Sequence, residues 1–542
     1  MNTFEISGQL VDVHLGEIYP AKISVAEGRI QSIDRLESAE QQFLMPGFVD
    51  SHIHIESSML LPAEFARVAV THGTVATVSD PHEIANVCGM EGVELMLRNA
   101  AESKFKFCFG APSCVPATEF ETSGAKLNVA DVKKLLNDPR IGYLSEVMDF
   151  PGVLNKAPAV MAKIKASLEL DKPVDGHAPG LRAEQATAYV SSGITTDHEC
   201  VSRDEAIDKL KAGCKIAIRE GSAARNFDAL QSLIDDYPEN CMLCSDDKHP
   251  DELLVGHIDR LVARAVAAGS NLMNVLRVAC MNPVQHYNMD VGLLRVGDPA
   301  DFIVVDNLTD FRVRQTYLDG ELAAENGKSL LTAPAPKLLN NLGATSIRAE
   351  QLEVPATGKT IRVMQAIDGQ LITNSLQRHC LVENGLAVPD IENDILKIVV
   401  VNRYKNAPPS VAFVNGFGLR QGAFASTVAH DSHNVVAVGT NDEDLESAIN
   451  GIILQGGLSV ANDSVRILPL TIGGLMSGSS CEIVAKHYSK VDQRVKSELG
   501  SSLRAPFMTL SFMALLVIPS LKLSDKGLFD VDRFEFTSLF VD

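Results

Sequence analysis

The sequence predicts an α/β protein built around a closed (β/α)8 barrel. Eight short apolar runs of strand length recur between residues 43 and 247, and a longer helical pattern follows each of them. Each run ends in a polar residue, and short β-type runs with turns flank the region on both sides. Eight strands, each followed by a helix, are the count of a parallel barrel of the TIM type.

The strand candidates are apolar segments bounded by turn residues, and helical patterns such as residues 83–103 and 155–171 lie between them. A doubly wound open sheet is the alternative, but no glycine-rich phosphate loop follows the first candidate. The predicted strands span residues 43–56, 74–83, 105–114, 141–150, 172–177, 193–199, 214–221 and 241–247.

The flanks of the barrel predict a second unit. Residues 3–36 and 291–322 both alternate short β-type runs with turns, so we expect the two halves to meet in space. After a linker rich in Ala, Pro, Asn and Gly, a further α/β region follows. The expected division is a composite β-sandwich from 1–43 plus 290–323, a catalytic barrel at 44–289, a linker at 324–345 and a C-terminal α/β domain at 346–542.

Composition excludes several classes of function. The chain has 542 residues, 46% of them hydrophobic, and a formal net charge of -21. Such a surface repels polyanions, so we expect no nucleic-acid partner. The first residues lack a signal-peptide pattern, and the apolar run 512–518 is too short to span a bilayer. The 10 cysteines are scattered through apolar runs, so we expect free thiols and a cytoplasmic location.

The first candidate strand ends in LMPGFVDSHIHIESS, residues 44–58. Side chains two residues apart share one strand face, so Asp50, His52, His54 and Glu56 would lie together if the strand ran straight. Two histidines with this spacing can reach one metal ion. The alternative for an isolated pair is a surface turn with incidental histidines.

The other strand ends favour a metal site. In a barrel these ends form one ring around the mouth, where active sites of the fold lie. Their side chains suffice for two divalent ions, for which imidazole with carboxylate suits Mn, Fe(II) or Zn. Two such ions generate a bridging hydroxide nucleophile at neutral pH, and Asp246 is placed to shuttle its proton. The predicted ligands are His52, His54, Glu146, His177, His198 and Asp246.

This pattern resembles the amidohydrolase superfamily, with HxH on strand one, single histidines on strands five and six, and Asp on strand eight. In many binuclear members the ligand on strand four is a carboxylated lysine. The fourth strand here, IGYLSEVMDF, contains no lysine, and Glu146 stands at its end.

More specific phrases, among them SDPHEIANVCG, SEVMDFPGV, DGHAPGL, MLCSDD and HDSHN, resemble the adenine deaminase family over nearly the whole chain. The resemblance implies conversion of adenine and water to hypoxanthine and ammonia at a binuclear Mn or Fe centre, with Glu146 as the bridging ligand. We expect adenine as the small-molecule partner, no membrane partner, and a homo-oligomer of two or more copies.

The residue that protonates the purine ring is open. Other purine deaminases of the superfamily place a glutamate just after the strand-five histidine, but Ala-Pro-Gly follows His177. Glu199 and Glu83 are the candidates, although Glu199 could simply pair with Arg219. The HDSHN segment either covers the substrate or binds a further metal. The expected substrate-binding residues are Glu56, Ser57, His82, Arg219, His430 and His433.

Three other functions compete. A hydantoinase-like or dihydroorotase-like hydrolase of cyclic amides would use a similar centre, but the absence of lysine on strand four argues against it. A zinc nucleobase deaminase carries H-x-E and P-C-x-x-C; His54 to Glu56 and Cys241 to Cys244 mimic these, but no proline precedes Cys241. A non-enzymatic barrel would be expected to have lost ligands.

Overall fold

The eight predicted barrel strands are all present in the computed structural model, which describes residues 3–335 and 337–541. Met1, Asn2, Pro336 and Asp542, which fall within the expected domain and linker ranges, lie outside the described residues. The barrel strands are β1 (Phe48–Ile53), β2 (Thr74–Ser79), β3 (Lys106–Ala111), β4 (Ile141–Val147), β5 (Val174–Gly176), β6 (Thr196–Asp197), β7 (Lys215–Arg219) and β8 (Cys241–Cys244).

The strands form two parallel sheets, one of five strands in the order β1 to β5 and one of three in the order β6 to β8. At the first seam, Thr195 N donates to Val174 O at 2.8 Å. At the second, Asp246 N donates to His52 O at 2.9 Å and His54 N donates to Asp246 O at 3.2 Å. These bonds close the barrel and place the ends of β1 and β8 side by side.

Helices follow the strands, as the alternating pattern predicts. Some of their first turns are capped by side chains; Ser202 Oγ, for example, accepts from Glu205 N at the helix after β6. The α-helices of this region are Pro62–Ala69, His82–Ala100, Val129–Leu136, Phe150–Leu154, Pro158–Leu168, Ala183–Val190, Arg203–Lys211, Phe227–Leu230, Leu233–Asp236, Pro250–Val255, Ile258–Ala267, Leu272–Leu276 and Asn282–His286, with a π-helix at Arg277–Met281 and short 3-10 helices at Ile55–Ser58 and Val70–His72.

The two flanks of the barrel meet as expected, in one eight-stranded sheet. Phe302–Val305 from the far flank pairs with Phe43–Pro46, which in turn pairs with Phe4–Asp12. In spatial order the strands are Lys328–Ser329, Glu321–Glu325, Val313–Leu318, Phe302–Val305, Phe43–Pro46, Phe4–Asp12, Glu17–Ala26 and Arg29–Arg35.

The predicted strand 43–56 is in fact three elements. Phe43–Pro46 belongs to the composite sheet, β1 begins at Phe48, and the chain turns into the 3-10 helix Ile55–Ser58 after β1. Gly47 permits this transfer because a Cβ there would lie only 2.2 Å from a methyl carbon of Val75. The barrel thus begins at Phe48, and only Gly47 separates it from the strand of the composite sheet, which ends at Pro46.

The C-terminal region is a second α/β unit. Its main sheet has eight strands, in the order Thr373–His379, Thr360–Ala366, Ser410–Asn415, Leu396–Val401, Val435–Gly439, Ala423–Ser426, Gly457–Ala461 and Val465–Pro469. The predicted helix near Asp442 spans Asp442–Ile452. The other elements are the α-helices Cys481–Ser497 and Pro506–Phe512, the 3-10 helices Ala349–Leu352 and Ile391–Asn393, and the short strands Val382–Glu383, Leu386–Ala387, Leu521–Ser524, Gly527–Asp530 and Glu535–Phe536.

Candidate metal centre

The six predicted metal ligands lie together at the carboxyl ends of five barrel strands. His52 is in β1 and His54 follows it, Glu146 is near the end of β4, and the other three follow β5, β6 and β8 within two residues. None is more than 6% exposed. Since buried polar groups of this kind are costly unless they are partnered, their convergence indicates a binding function. The six are His52, His54, Glu146, His177, His198 and Asp246.

Glu146 lies between two groups of histidines. Its Oε1 is 3.3 Å from His54 Nε2, whereas its Oε2 is 3.3 Å from His198 Nε2 and 2.7 Å from His177 Nδ1. Each carboxylate oxygen therefore faces a different imidazole set. This is the arrangement that a carboxylate bridging two metal ions requires.

Asp246 completes the group around β1. Its Oδ1 is 3.3 Å from His54 Nε2 and 3.7 Å from His52 Nε2, and the two imidazole nitrogens are 3.2 Å apart. Ligands held about 2.1 Å from a tetrahedral ion lie about 3.4 Å from one another. The residues present therefore fit a divalent metal centre by both donor chemistry and spacing.

Electrostatics keeps the oxygen ligands ionised. Burial would raise the pKa of Glu146 and that of Asp246, but the charges of His177 and Arg219 respectively hold them well below their usual range. Burial, together with neighbouring His198 and His54, lowers the pKa of His52 well below its usual value. Against the effect of burial, the nearby carboxylates raise the pKa of His54, His177 and His198. Because a metal binds the neutral imidazole, metal binding at these three residues releases protons.

Arg219, at the end of β7, joins two of the predicted catalytic carboxylates. Its guanidinium donates to Asp246 Oδ2 at 2.6 Å and makes a two-pronged contact with Glu199. The ion pair with Arg219, which is the alternative to a catalytic role for Glu199, is present. Glu199 also lies 3.4 Å from His198 Nε2 and so borders the centre.

A second polar layer lies above the metal centre. His82 Nδ1 is 2.9 Å from Asp80 Oδ2, and Glu83 contacts His430 at 3.0 Å and also His433. The HDSHN segment therefore reaches the barrel mouth from the C-terminal region. Glu83, the other candidate for ring protonation, lies in this layer.

Asp50 and Glu56 do not join the ligands as a straight strand would require. Asp50 accepts from His257 Nε2 at 2.8 Å and from Ser245 N at 3.0 Å. The side chain of Glu56, which belongs to the 3-10 helix after β1, accepts from Ile84 N at 3.1 Å. Glu56 lies beyond the end of β1 at Ile53, and the register of β1 against β2 shifts between Asp50 and Ile53, so a straight-strand alternation does not extend over the four residues.

The cavity above the centre is lined by residues of both the barrel and the C-terminal region. Ser57, Glu56 and His433 are outside the lining, and the apolar wall was not predicted because Leu, Met and Phe look the same in a core as in a cavity. The lining residues are His54, His82, Glu83, Glu146, Met148, His177, His198, Glu199, Arg219, Asp246, Asp247, Leu371, His430, Asp431, Phe512 and Leu515.

Family models match both halves of the chain. Residues 43–323 match the amidohydrolase family, and residues 370–535 match the adenine deaminase C-terminal domain. The chain belongs to the adenine deaminase family. Membership in this family confirms the resemblance predicted from the sequence. It also confirms the predicted fold, a barrel with a composite β-domain and a separate C-terminal domain.

Relatives in the adenine deaminase family are similar over their full length. An adenine deaminase of Salinibacter ruber is 54% identical over 100% of this chain and 99% of its own. One of Sulfurovum sp. is 52% identical over 98% and 99%, and one of Borreliella burgdorferi is 48% identical over 99% and 100%. Among the described residues, no helix is long and apolar enough to cross a membrane.

Proposed function

We propose that this protein catalyses the hydrolytic deamination of adenine to hypoxanthine and ammonia. The observation that carries the proposal is Glu146, whose two oxygens face separate imidazole groups beside an ionised Asp246. Identity of about half of all residues to adenine deaminases, over the full length, supports adenine as the substrate.

The centre would hold two divalent ions, Mn(2+) or Fe(2+), with Zn as a further fit to the same donors. His54, which lies beside His52 and Asp246, faces one oxygen of Glu146, and His177 and His198 face the other. When bound, the ions supply a hydroxide nucleophile at neutral pH.

Asp246 is proposed as the proton shuttle. Its Oδ2 is held by Arg219 and its Oδ1 faces the histidines, so the carboxylate is fixed in orientation and ionised. As oxygen adds to C6 of adenine, Asp246 takes the proton from the attacking water. It then gives that proton to the amino group, the C6–N bond breaks, and ammonia leaves.

Two buried carboxylates are proposed for protonation of the ring nitrogen next to C6. Glu199 borders the metal centre and is held by Arg219, whereas Glu83 lies in the upper layer between histidines. Both line the cavity. Comparison of Glu199→Gln with Glu83→Gln identifies the acid. Replacement of the glutamate that protonates the ring should lower kcat strongly, whereas replacement of the other should not.

The remaining polar residues are proposed to contact or position the base. His82, Arg219 and His430 line the cavity, and we assign them to the substrate-binding site. Glu56, Ser57 and His433 lie just behind the lining and act through a neighbour; Ser57 Oγ, for example, donates to Asp247 Oδ1 at 2.5 Å. The apolar wall of Met148, Leu371, Phe512 and Leu515 would cover the purine and exclude water.

We also propose the expected division of the chain, with Phe43–Pro46 moved into the composite β-domain. The barrel would then start at residue 48 and end near 289, before the linker at 324–345 and the C-terminal α/β domain. We also propose that the protein is cytoplasmic and forms a homo-oligomer.

An ammonia-release assay tests the function. Protein loaded with Mn or Fe(II) is given adenine, adenosine and dihydroorotate, with Glu146→Gln as the matched control. Activity on adenine that Glu146→Gln abolishes supports the proposal. Turnover of dihydroorotate or adenosine in place of adenine would overturn it, and the former would favour a hydrolase of cyclic amides.

A further inference from the structure

A second cluster of metal-ligating side chains lies between the barrel and the C-terminal region. His82 and Glu83 begin the helix after β2, whereas His430 and Asp431 lie between the strands Ala423–Ser426 and Val435–Gly439. None of the four is more than 3% exposed. Charged groups buried to this degree are found paired or bound to a metal.

The four side chains converge on a small space. Glu83 Oε1 is 3.5 Å from His82 Nε2 and 3.0 Å from His430 Nε2, and Asp431 Oδ1 is 3.7 Å from His82 Nε2. Ligands of one ion at about 2.1 Å lie about 3.0–3.4 Å apart in octahedral or tetrahedral geometry. The separations are close to that range and resemble those around Glu146.

Hydrogen bonds orient the donors toward this space. Asp80 Oδ2 accepts from His82 Nδ1 at 2.9 Å, so Nε2 is the ring nitrogen of His82 that faces the cluster. Ala429 N donates to His433 Nδ1 at 3.1 Å, so neutral His433 carries its proton on Nε2 and donates to Glu83 Oε2. A carboxylate behind a ligand histidine, and a donor behind a ligand carboxylate, are typical of the outer shell of metal sites.

Several potential metal-ligating atoms in the cluster have no hydrogen-bond partner. Three such atoms, all buried, are His82 Nε2, His430 Nε2 and Asp431 Oδ2. Direct ion pairs alone leave these atoms without a hydrogen bond, which is unfavourable for a buried polar group. A cation bound among them would satisfy His82, His430 and Asp431 at once.

We propose that His82, Glu83, His430 and Asp431 bind a third divalent cation beside the binuclear centre. His82 borders both sites, since its Nδ1 lies 3.5 Å from Glu146 Oε1. Two imidazoles and two carboxylates select a transition-metal ion such as Mn(2+), Fe(2+) or Zn(2+) over Mg(2+). Because two ligands come from the barrel and two from the C-terminal region, the ion ties the two together above the cavity. It also engages Glu83 as a ligand and thereby leaves Glu199 as the acid for the ring.

Metal analysis of the holoenzyme tests the proposal. Full-length protein from Mn-supplemented cells is desalted, and its Mn content is measured for wild type, Asp431→Asn and His82→Asn. The expected values are about three ions per chain for wild type and two for each variant. Glu121→Gln is the matched control, since Glu121 is a buried carboxylate near Asp431 outside the four ligands, and it should keep all three.

Two further measurements cover variants that fold poorly and separate this site from the binuclear centre. Crystals of wild type should give an anomalous Mn peak among the four side chains, and Glu146→Gln should retain one ion. Wild type with two ions and no such peak would overturn the third site. A different result would be one ion per chain in wild type, which is lost in Asp431→Asn and retained in Glu146→Gln. That result would support the site at Asp431 and refute the binuclear centre.

Discussion

The guanidinium of Arg219 lies 2.6 Å from Asp246 Oδ2 and fixes one oxygen of that carboxylate. The other oxygen of Asp246 faces His54 at 3.3 Å. Both residues are buried, so their contact is not weakened by solvent. Arg219 therefore sets the orientation of the proposed proton shuttle without lying among the six ligands.

Arg219→Met should lower kcat/KM for adenine by about 10²-fold or more, the usual contribution of a positioned proton-transfer group. Metal content should change little because the six ligands remain. Arg219→Lys should recover only part of the activity, since an ammonium cannot reproduce the two-pronged contact with Glu199. Steady-state ammonia release and elemental analysis measure both effects. Unchanged kcat/KM in Arg219→Met would contradict the role.

Removal of metal should lower the thermal stability of the protein. The folded chain holds a preformed set of ligands around Glu146, which the unfolded chain lacks, so bound ions stabilise the folded state. Free metal at 100 times Kd contributes about 2.7 kcal/mol per site. We therefore expect chelation to lower Tm by about 5 °C or more, as measured by scanning calorimetry.

Re-addition of Mn(2+) should restore Tm in wild type and much less in Glu146→Gln. An equal restoration in both proteins would show that the stabilising ion binds away from Glu146.

The metal ligands were predictable because each follows an apolar run at a strand end. Glu146 and Asp246 needed only the strand count and the rule that carboxyl ends of barrel strands form one ring. Asp50 was misplaced because period-two alternation assumes a regular strand, whereas the register of β1 against β2 shifts between Asp50 and Ile53 and Asp50 is engaged by His257.

The roof of the cavity was not predictable in the same way. Leu371 and Phe512 are far apart in sequence, and nothing in an apolar residue distinguishes a cavity wall from a core. The HDSHN segment did carry a signal, because two histidines around an aspartate are unusual between strands. Its proximity to Glu83 arises from the packing of the C-terminal region on the barrel, which no local pattern specifies.

Asp50 should contribute to stability rather than to chemistry. Its carboxylate is fully buried and is bonded to His257 Nε2, Ser245 N and Ser245 Oγ. Removal of one member of such a buried network costs about 3–5 kcal/mol. Asp50→Ala should lose that amount in urea unfolding, and Asp50→Asn should lose less because it keeps the size and one acceptor. Asp50→Ala with wild-type stability would contradict the assignment.

Lys522 joins the two segments that form the apolar wall. Its Nζ donates to Leu371 O and to Phe512 O, both at 2.9 Å, and its side chain is fully buried. Burial lowers the pKa of Lys522 to about 7. A neutral amine still has two N–H groups for the two carbonyls, so the contacts survive loss of the charge.

This depressed pKa predicts that stability rises with pH. The unfolded chain holds its proton up to about pH 10.4, whereas folded Lys522 releases it near 7, so between these values the unfolded state binds more protons. Below pH 7 the buried ammonium lowers the free energy of unfolding by its full amount. Loss of the proton by pH 10 restores about 4 kcal/mol of that free energy at most. Urea unfolding of wild type and Lys522→Met at pH 6.5, 8 and 9.5 measures the difference.

As pH rises, the unfolding free energy of wild type should increase relative to that of Lys522→Met. Other titrating groups cancel in that comparison because both proteins share them. Lys337→Met is the control, since Lys337 is exposed and its replacement should leave the pH dependence unchanged. A difference between wild type and Lys522→Met that stays constant from pH 6.5 to 9.5 would mean that the amine keeps its proton, and the roof would then be held by a buried ammonium.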